Sequence, residues 1–145
     1  MMTRAKRLQP VSRLMDELER ESALRVAATQ ARLGDARKRH SELTRYLEEY
    51  RSIFAQRARA GMGVTGVRDY QVFISRLDEA VQAQQSVVEQ LTAECAAERE
   101  AWVQAAARKN AVGKVVERAR SDERQAEDRR QQHELDERAQ RRGTP

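Results

Sequence analysis

The sequence has few of the residues that build a compact core or cross a membrane. Its 145 residues include two Phe, three Tyr and one Trp, and 39% are hydrophobic. A typical domain of this length buries about 70% of its unfolded surface around bulky side chains, so we do not expect a compact enzyme domain. No apolar stretch approaches the ~18 residues of a membrane span, and no signal-peptide core is present. We therefore expect membrane contact only through a partner.

Residues that commonly form catalytic or metal sites are also scarce. The single cysteine, Cys95, excludes an internal disulfide and predicts a reducing, intracellular compartment. With only His40 and His133 besides, no zinc ligand set is expected. The Gly-x-Gly-x-x-Gly pattern at 61–66 matches a dinucleotide fingerprint in letters, but that chemistry requires a preceding strand, and a helical pattern precedes it here. We expect no enzymatic activity and no cofactor.

The charge is abundant and mixed in sign. Charged residues make up 35% of the chain, and the net charge of +5 is concentrated in residues 1–13, which contain no acid. Basic clusters at 37–39, 108–109 and 129–130 leave a nucleic-acid-binding coiled coil as an alternative. Because acidic residues interleave almost everywhere and no basic stripe carries aromatics, we expect no nucleic acid partner.

Glycine and proline positions predict two long helices. Pro10 suits the first turn of a helix, and the next breakers are the glycines at 61–66. From Val67 to Arg142 only Gly113 interrupts the helical pattern, with Thr65 or Asp69 as a possible N-cap. The predicted organisation is an N-terminal segment and first helix over 1–60, a turn over 61–68, a paired second helix over 69–119 and a charged extension over 120–145.

Apolar residues in both helices recur at alternating steps of three and four, which predicts a coiled-coil seam. In the second helix this seam runs from Tyr70 to Ala119. In the first helix it ends at Phe54, with a stutter after Ser22, and its first part is traced through Leu8, Val11, Met15, Leu18 and Ser22. Folding about residues 63–64 places Leu8 opposite Ala119, where the second seam ends. The predicted fold class is all-α, a long antiparallel two-helix coiled-coil hairpin.

Several unusual residues fall on this seam. Cys95 and Trp102 occupy seam positions and are expected to be core residues, and His40 is expected to be a tolerated polar position. Gln84 is a polar seam residue that would set the register of the two helices. Beyond Ala119 the chain has balanced charge and little apolar content, so it is expected to fray alone. Either a partner completes this end or it is a solvated, disordered tail.

Five of the six aromatic residues gather around the predicted turn. Tyr46, Phe73 and Ala80 lie off the traced seam and are expected to be partly exposed beside Leu43, Tyr50 and Leu77. An exposed apolar edge of this kind is typical of a partner-binding surface. The alternative is that the aromatic side chains widen the core where the helices diverge.

The sequence around these aromatics resembles a known family. The patterns are Leu8-x-Pro-Val11, Leu43-x-x-Tyr46-x-x-x-Tyr50, and Tyr70-x-x-Phe73-x-x-x-Leu77 followed by Gln84-Gln85. They resemble the bacterial flagellar export protein FliJ over nearly the whole chain. The resemblance implies a coiled coil similar to the γ-subunit stalk of rotary ATPases, located in the cytoplasm and peripherally at the inner membrane.

The resemblance also implies partners and binding residues. The partners would be the flagellar export ATPase hexamer, the integral-membrane export gate and export chaperones. Export-gate contact would fall to the aromatic surface, comprising Leu43, Tyr46, Tyr50, Phe73, Leu77, Ala80 and Gln84. ATPase-ring contact would fall to the terminal surface, comprising Leu8, Val11, Met15, Leu18, Arg120 and Arg124. The pattern is also compatible with the equivalent stalk of a virulence-type III secretion system and with an oligomeric scaffold.

Overall fold

The computed structural model describes residues 2–143, which are helical except for residues 2–3 and 61–63. It contains α1 (Arg4–Ala60) and α2 (Val64–Gly143), and no strand occurs in the described residues. The two helices pack against each other antiparallel, which confirms the predicted fold class. Packing divides the chain into a terminal unit, with residues up to Ser22 and from Ala101 onward, and a turn unit, Ala23–Glu100.

The turn between the helices is shorter than predicted. Only residues 61–63 are non-helical, whereas the glycine pattern had suggested a turn over 61–68. Gly61 ends α1 with a φ of 99°, a left-handed conformation that favours glycine. The carbonyl of Gly63 accepts the N–H of Val67 at 3.1 Å, so Gly63 is the N-cap of α2. The expected caps Thr65 and Asp69 are wrong, because both lie inside the helix.

Helix α1 begins earlier than the sequence suggested. Thr3 Oγ1 accepts the N–H of Lys6 at 3.3 Å, and Glu123 Oε1 on α2 accepts the N–H of Ala5 at 3.1 Å. Capping bonds of this kind typically contribute about 1 kcal/mol each. They stabilise a first turn ahead of Pro10, so the expectation that Pro10 lies in that turn is wrong.

The turn unit has an apolar core. Leu33, Ala36, Leu91 and Cys95 are buried together, and Val88 packs against them. Seam residues Leu33 and Leu91 contribute the bulk of this core, and Cys95 is a buried core residue as predicted. Three interhelical ion pairs flank this seam: Arg25–Glu98 at 3.4 Å, Arg32–Glu94 at 3.6 Å and Arg51–Asp78 at 3.9 Å. Each is substantially exposed and adds less than about 1 kcal/mol.

The terminal unit has a seam that mixes small and polar residues with a few large apolar ones. The seam positions, all buried or half-buried, are Ala5, Leu8, Ser12, Met15, Glu19 and Ser22 on α1 and Ala105, Lys109, Val112, Val116, Ala119 and Glu123 on α2; Asp16, Ala106 and Ser121 beside them are also half-buried. On α1 these positions alternate steps of three and four without interruption, so the predicted stutter after Ser22 is wrong. Val11 and Leu18 lie off the seam and are exposed. A seam predicted from apolar residues therefore runs through Val11 and Leu18 instead of the half-buried polar residues Ser12 and Glu19.

Helix α2 continues through the predicted charged extension. Glu123 is half-buried against the start of α1, whereas residues 124–143 are exposed on every side. The exposed part carries local side-chain pairs one helical turn apart, including Arg130 with Glu127 and His133 with Glu137 at 3.2 Å. The extension is therefore helical as far as residue 143. The last two residues of the predicted extension, 144–145, lie outside the described residues.

Candidate functional site

Two pairs of aromatic rings join the helices near the turn. Tyr50 on α1 packs edge-on against Phe73 on α2, with ring centroids 4.7 Å apart and an interplanar angle of 69°. One helical turn closer to the glycines, Phe54 and Tyr70 are 5.8 Å apart. Offset and edge-on pairs of this kind contribute about 0.5–1.5 kcal/mol beyond the area they bury. The two ring pairs therefore hold the helices together near the turn, while the Phe73 ring remains partly exposed.

An open groove lies between these rings. It has a volume of about 340 Å³ and is lined by Tyr50, Asp69, Tyr70 and Phe73. A groove of this volume is at the lower end of the range of small-molecule sites and fits one or two large side chains. Its walls are mostly aromatic, and Asp69 supplies its one carboxylate.

Two members of the predicted aromatic surface, Tyr50 and Phe73, line this groove, and the other members lie elsewhere in the turn unit. Tyr46 and Phe73 are exposed, at 46% and 42%, which confirms that these two rings project from the seam. Tyr50 and the aliphatic members are half-buried in the turn unit, namely Leu43, Leu77 and Ala80. The Tyr46 and Phe73 rings are therefore accessible to a partner. The role of this surface in binding the export gate stays a prediction.

Gln84 differs from the other members of this surface. Its side-chain Nε2 donates a hydrogen bond of 3.1 Å to the backbone carbonyl of Ala36 on the facing helix. Gln84 is half-buried, and its amide is held within the turn unit. This interhelical bond fits the register-setting role expected for a polar seam residue. Direct contact of the Gln84 side chain with a partner would have to compete with this bond.

Basic residues beside the groove escaped the sequence interpretation. The Arg57 guanidinium lies over the Tyr70 ring, 5.6 Å from its centroid, and the Arg45 guanidinium lies 5.8 Å from that of Tyr46. Arg59 and Arg68 are exposed on either side of the turn. A charge count confined to the turn region, instead of one over long segments, would have found this cluster.

The predicted terminal surface is divided by the seam. Leu8 and Met15 are half-buried between the helices of the terminal unit, and Val11 and Leu18 are exposed on the outer face of α1. Leu14, which the sequence interpretation omitted, is 49% exposed between them. Spacing of three and four places these exposed residues on one face of α1. The basic members, Arg120 and Arg124, are also exposed, and Arg124 pairs with Glu117 at 3.3 Å.

A polar cluster replaces the apolar core in the middle of the terminal unit. Glu19 Oε1 accepts a hydrogen bond from the Trp102 indole N–H at 3.0 Å, and Glu19 Oε2 lies 3.8 Å from Lys109 Nζ. Trp102 is 38% exposed, so its expected place in the core is wrong. The indole instead lies at the edge of the seam, because its N–H requires a polar partner.

Cys95 is buried, and the described residues form no arrangement suited to a metal ion. No group of three or more His, Cys, Asp or Glu within the described part of the chain is arranged to hold a metal ion. The glycine pattern at 61–66 forms the turn and the first turn of α2, without the preceding strand that dinucleotide binding requires. Neither described helix is long and apolar enough to cross a membrane.

Comparison with known proteins identifies the family. The family model described as "Flagellar FliJ protein" matches residues 4–144. No curated protein and no solved structure gives a significant match. The matched range includes both described helices and therefore both candidate surfaces. The chain belongs to the flagellar FliJ family, a family of non-enzymatic components associated with flagellar protein export.

Proposed function

We propose that this chain couples the export ATPase to the export gate of the bacterial flagellar type III apparatus. The terminal unit inserts into the hexameric ATPase ring and promotes its assembly. The aromatic surface of the turn unit contacts the integral-membrane gate. The chain also binds export chaperones, and it resides in the cytoplasm, peripherally associated with the inner membrane at the flagellar base. The flagellar family match favours this system over a virulence-type one.

The observation that carries the proposal is the pair of exposed aromatic rings in the turn unit. Tyr46 and Phe73 remain 46% and 42% exposed, although the chain has only six aromatic residues. Exposed aromatic side chains are typical of the anchors that dominate protein–protein binding energy. A surface whose only task was to close the hairpin would gain stability by burying these rings.

The terminal unit supports the second half of the proposal. Val11, Leu14 and Leu18 form an exposed apolar stripe on α1, and the adjacent seam includes small and polar residues. Apolar side chains in a row on an outer face are typical of a helix that meets a further partner. An ATPase ring could surround this unit, since contacts with the stripe do not require opening the seam.

A pull-down from lysate of the native cell tests the gate contact. Tyr46→Ala/Phe73→Ala removes both exposed rings, and we expect it to recover the export ATPase but lose the gate protein. The matched control is Leu24→Ala/Val87→Ala, which removes two exposed apolar side chains elsewhere in the turn unit. This control should recover both partners. Loss of the gate by both variants, or recovery of nucleic acid in place of either partner, would contradict the proposal.

The ATPase contact needs a separate measurement. We expect the wild-type chain to stimulate hydrolysis and ring formation by the purified cognate ATPase. Val11→Ser/Leu14→Ser/Leu18→Ser should reduce that stimulation, because it removes the apolar stripe without touching the seam. The Tyr46→Ala/Phe73→Ala variant should stimulate normally. No stimulation at saturating wild-type protein would refute the ATPase half of the proposal.

A further inference from the structure

The turn region has a strong basic bias. Residues 51–68 contain four arginines and no Asp or Glu, a bias that they share with the acid-free residues 1–13. Arg51 pairs with Asp78 on α2. Arg57, Arg59 and Arg68 are exposed and make no ion pair with another described residue. Three guanidinium groups are therefore available to a partner at the turn.

Arg57 contacts a wall of the aromatic groove, and Arg59 and Arg68 lie close to it in the chain. Arg57 stacks on Tyr70, whose ring forms one wall of the groove. Arg68 immediately precedes the groove residue Asp69 and lines a second depression on α2 with Arg76 and Glu79. The site thus combines an aromatic groove with one guanidinium stacked on its wall and two further exposed arginines nearby in the chain. Guanidinium groups bind carboxylates through paired hydrogen bonds and retain their charge at any physiological pH.

We propose that this groove binds an acidic segment of a partner protein. An apolar side chain of that segment enters between Tyr50, Tyr70 and Phe73, and flanking carboxylates pair with the unpaired arginines. This inference rests on the proposed function, since it specifies the chemistry of the partner that the aromatic surface receives. Asp69 is the one acid at the groove, and it is suited to accept a backbone N–H from the bound segment.

The surface fits a protein segment better than an anionic membrane. A membrane contact would require apolar side chains projecting from the turn itself. Met62 is instead half-buried, and its Cγ lies 3.0 Å from the position that a Cβ on residue 66 would occupy. Val64 is therefore the one large apolar residue that is strongly exposed at the turn. A groove walled by three aromatic rings provides shape recognition that a fluid lipid surface would not use.

Fluorescence anisotropy with labelled synthetic peptides tests the proposal. The probe is a short peptide in which phenylalanines alternate with glutamates, compared with one carrying glutamine and one carrying lysine in place of glutamate. We expect the glutamate peptide to bind the full chain at least about tenfold more tightly than the lysine peptide, with affinity falling as salt rises. Equal binding of the three peptides would overturn the proposal.

Two variants of equal charge locate the site. Arg57→Gln/Arg59→Gln/Arg68→Gln should weaken glutamate-peptide binding about tenfold. Arg37→Gln/Lys38→Gln/Arg39→Gln removes the same charge from an exposed stretch of the turn unit and should leave binding unchanged. Equal loss in both variants would indicate non-specific attraction and overturn the proposal. So would binding to phosphatidylglycerol vesicles that exceeds peptide binding and depends on the turn arginines.

The gate pull-down separates this inference from the proposed function. If the turn-arginine variant retains the gate while Tyr46→Ala/Phe73→Ala loses it, the gate contact stands and the acidic-segment inference fails. If both variants lose the gate while the Arg37→Gln/Lys38→Gln/Arg39→Gln control retains it, both stand. If neither variant loses the gate, the proposed gate contact fails, and the peptide measurement alone decides whether the groove recognises acidic segments.

Discussion

The two units use the same helical period for different chemistry. In the turn unit, the seam positions carry Leu33, Leu47 and Leu91, which are buried to within 8% exposure or less. In the terminal unit, several of the corresponding steps fall on polar residues such as Ser12, Glu19 and Lys109. The comparison teaches that the period fixes which positions face the partner helix, whereas the residues placed there determine how strongly the helices associate.

The terminal unit also carries large apolar residues on its surface. Val11, Leu14 and Leu18 on α1, with Val103 and Val115 on α2, are exposed in the terminal unit. Their burial against a partner would be worth about 25 cal/mol per Å² of apolar surface. Both units therefore leave apolar side chains exposed, but the turn unit also buries a cluster of large side chains, whereas the fully buried terminal positions are mostly small. Three experiments test this contrast.

The largest effect is expected from the turn-unit core. Leu91→Ala removes a side chain that is 7% exposed and should lower the free energy of unfolding by about 2–4 kcal/mol. Urea denaturation followed by circular dichroism measures this. Leu24→Ala, which trims an exposed leucine in the same unit, should change the free energy by less than about 0.5 kcal/mol. Similar losses in both variants would mean that the turn unit has no dominant core.

A smaller effect of opposite sign is expected in the terminal unit. Ser22 is 2% exposed, and its Oγ has no hydrogen-bond partner among the described residues. Ser22→Ala removes an unsatisfied hydroxyl and favours the helix, so stability should rise by about 1.5 kcal/mol. Ser41→Ala, at an exposed position of α1, should gain only the helix-propensity part, about 0.5 kcal/mol. Trp102 fluorescence during urea unfolding reports the change, and a loss of stability in Ser22→Ala would contradict it.

The sequence predicts burial correctly where apolar residues also occupy seam positions. The second seam could be traced because residues such as Leu91, Cys95 and Val116 are both apolar and in register. The predicted first seam is wrong at Val11 and Leu18, because these apolar residues are exposed. The polar residues Ser12 and Glu19 occupy the seam positions beside them. Trp102 was misplaced for the same reason, because its bulk predicts burial whereas its N–H requires Glu19.

The candidate surfaces were only partly predictable. Exposure of Tyr46 and Phe73 follows from their position off the seam, which spacing alone reveals. The stacking of Arg57 on Tyr70 joins residues on different helices, so it depends on how the turn closes. The turn closed earlier than predicted because Gly61 and Gly63 suffice to end one helix and begin the next.

The smallest expected effect concerns the polar cluster of the terminal unit. Glu19 and Lys109 are 3.8 Å apart, and the lysine side chain is 42% exposed, so solvent screens their attraction. A double-mutant cycle with Glu19→Gln and Lys109→Met should give a coupling free energy of about 0.5 kcal/mol, which disappears near about 1 M salt. Glutamine preserves an acceptor for the Trp102 N–H, so indole emission should stay nearly constant while the charge is lost. A coupling of several kcal/mol that persists in high salt would instead make this ion pair a lock between the helices, and the terminal seam would then be no weaker than the apolar one.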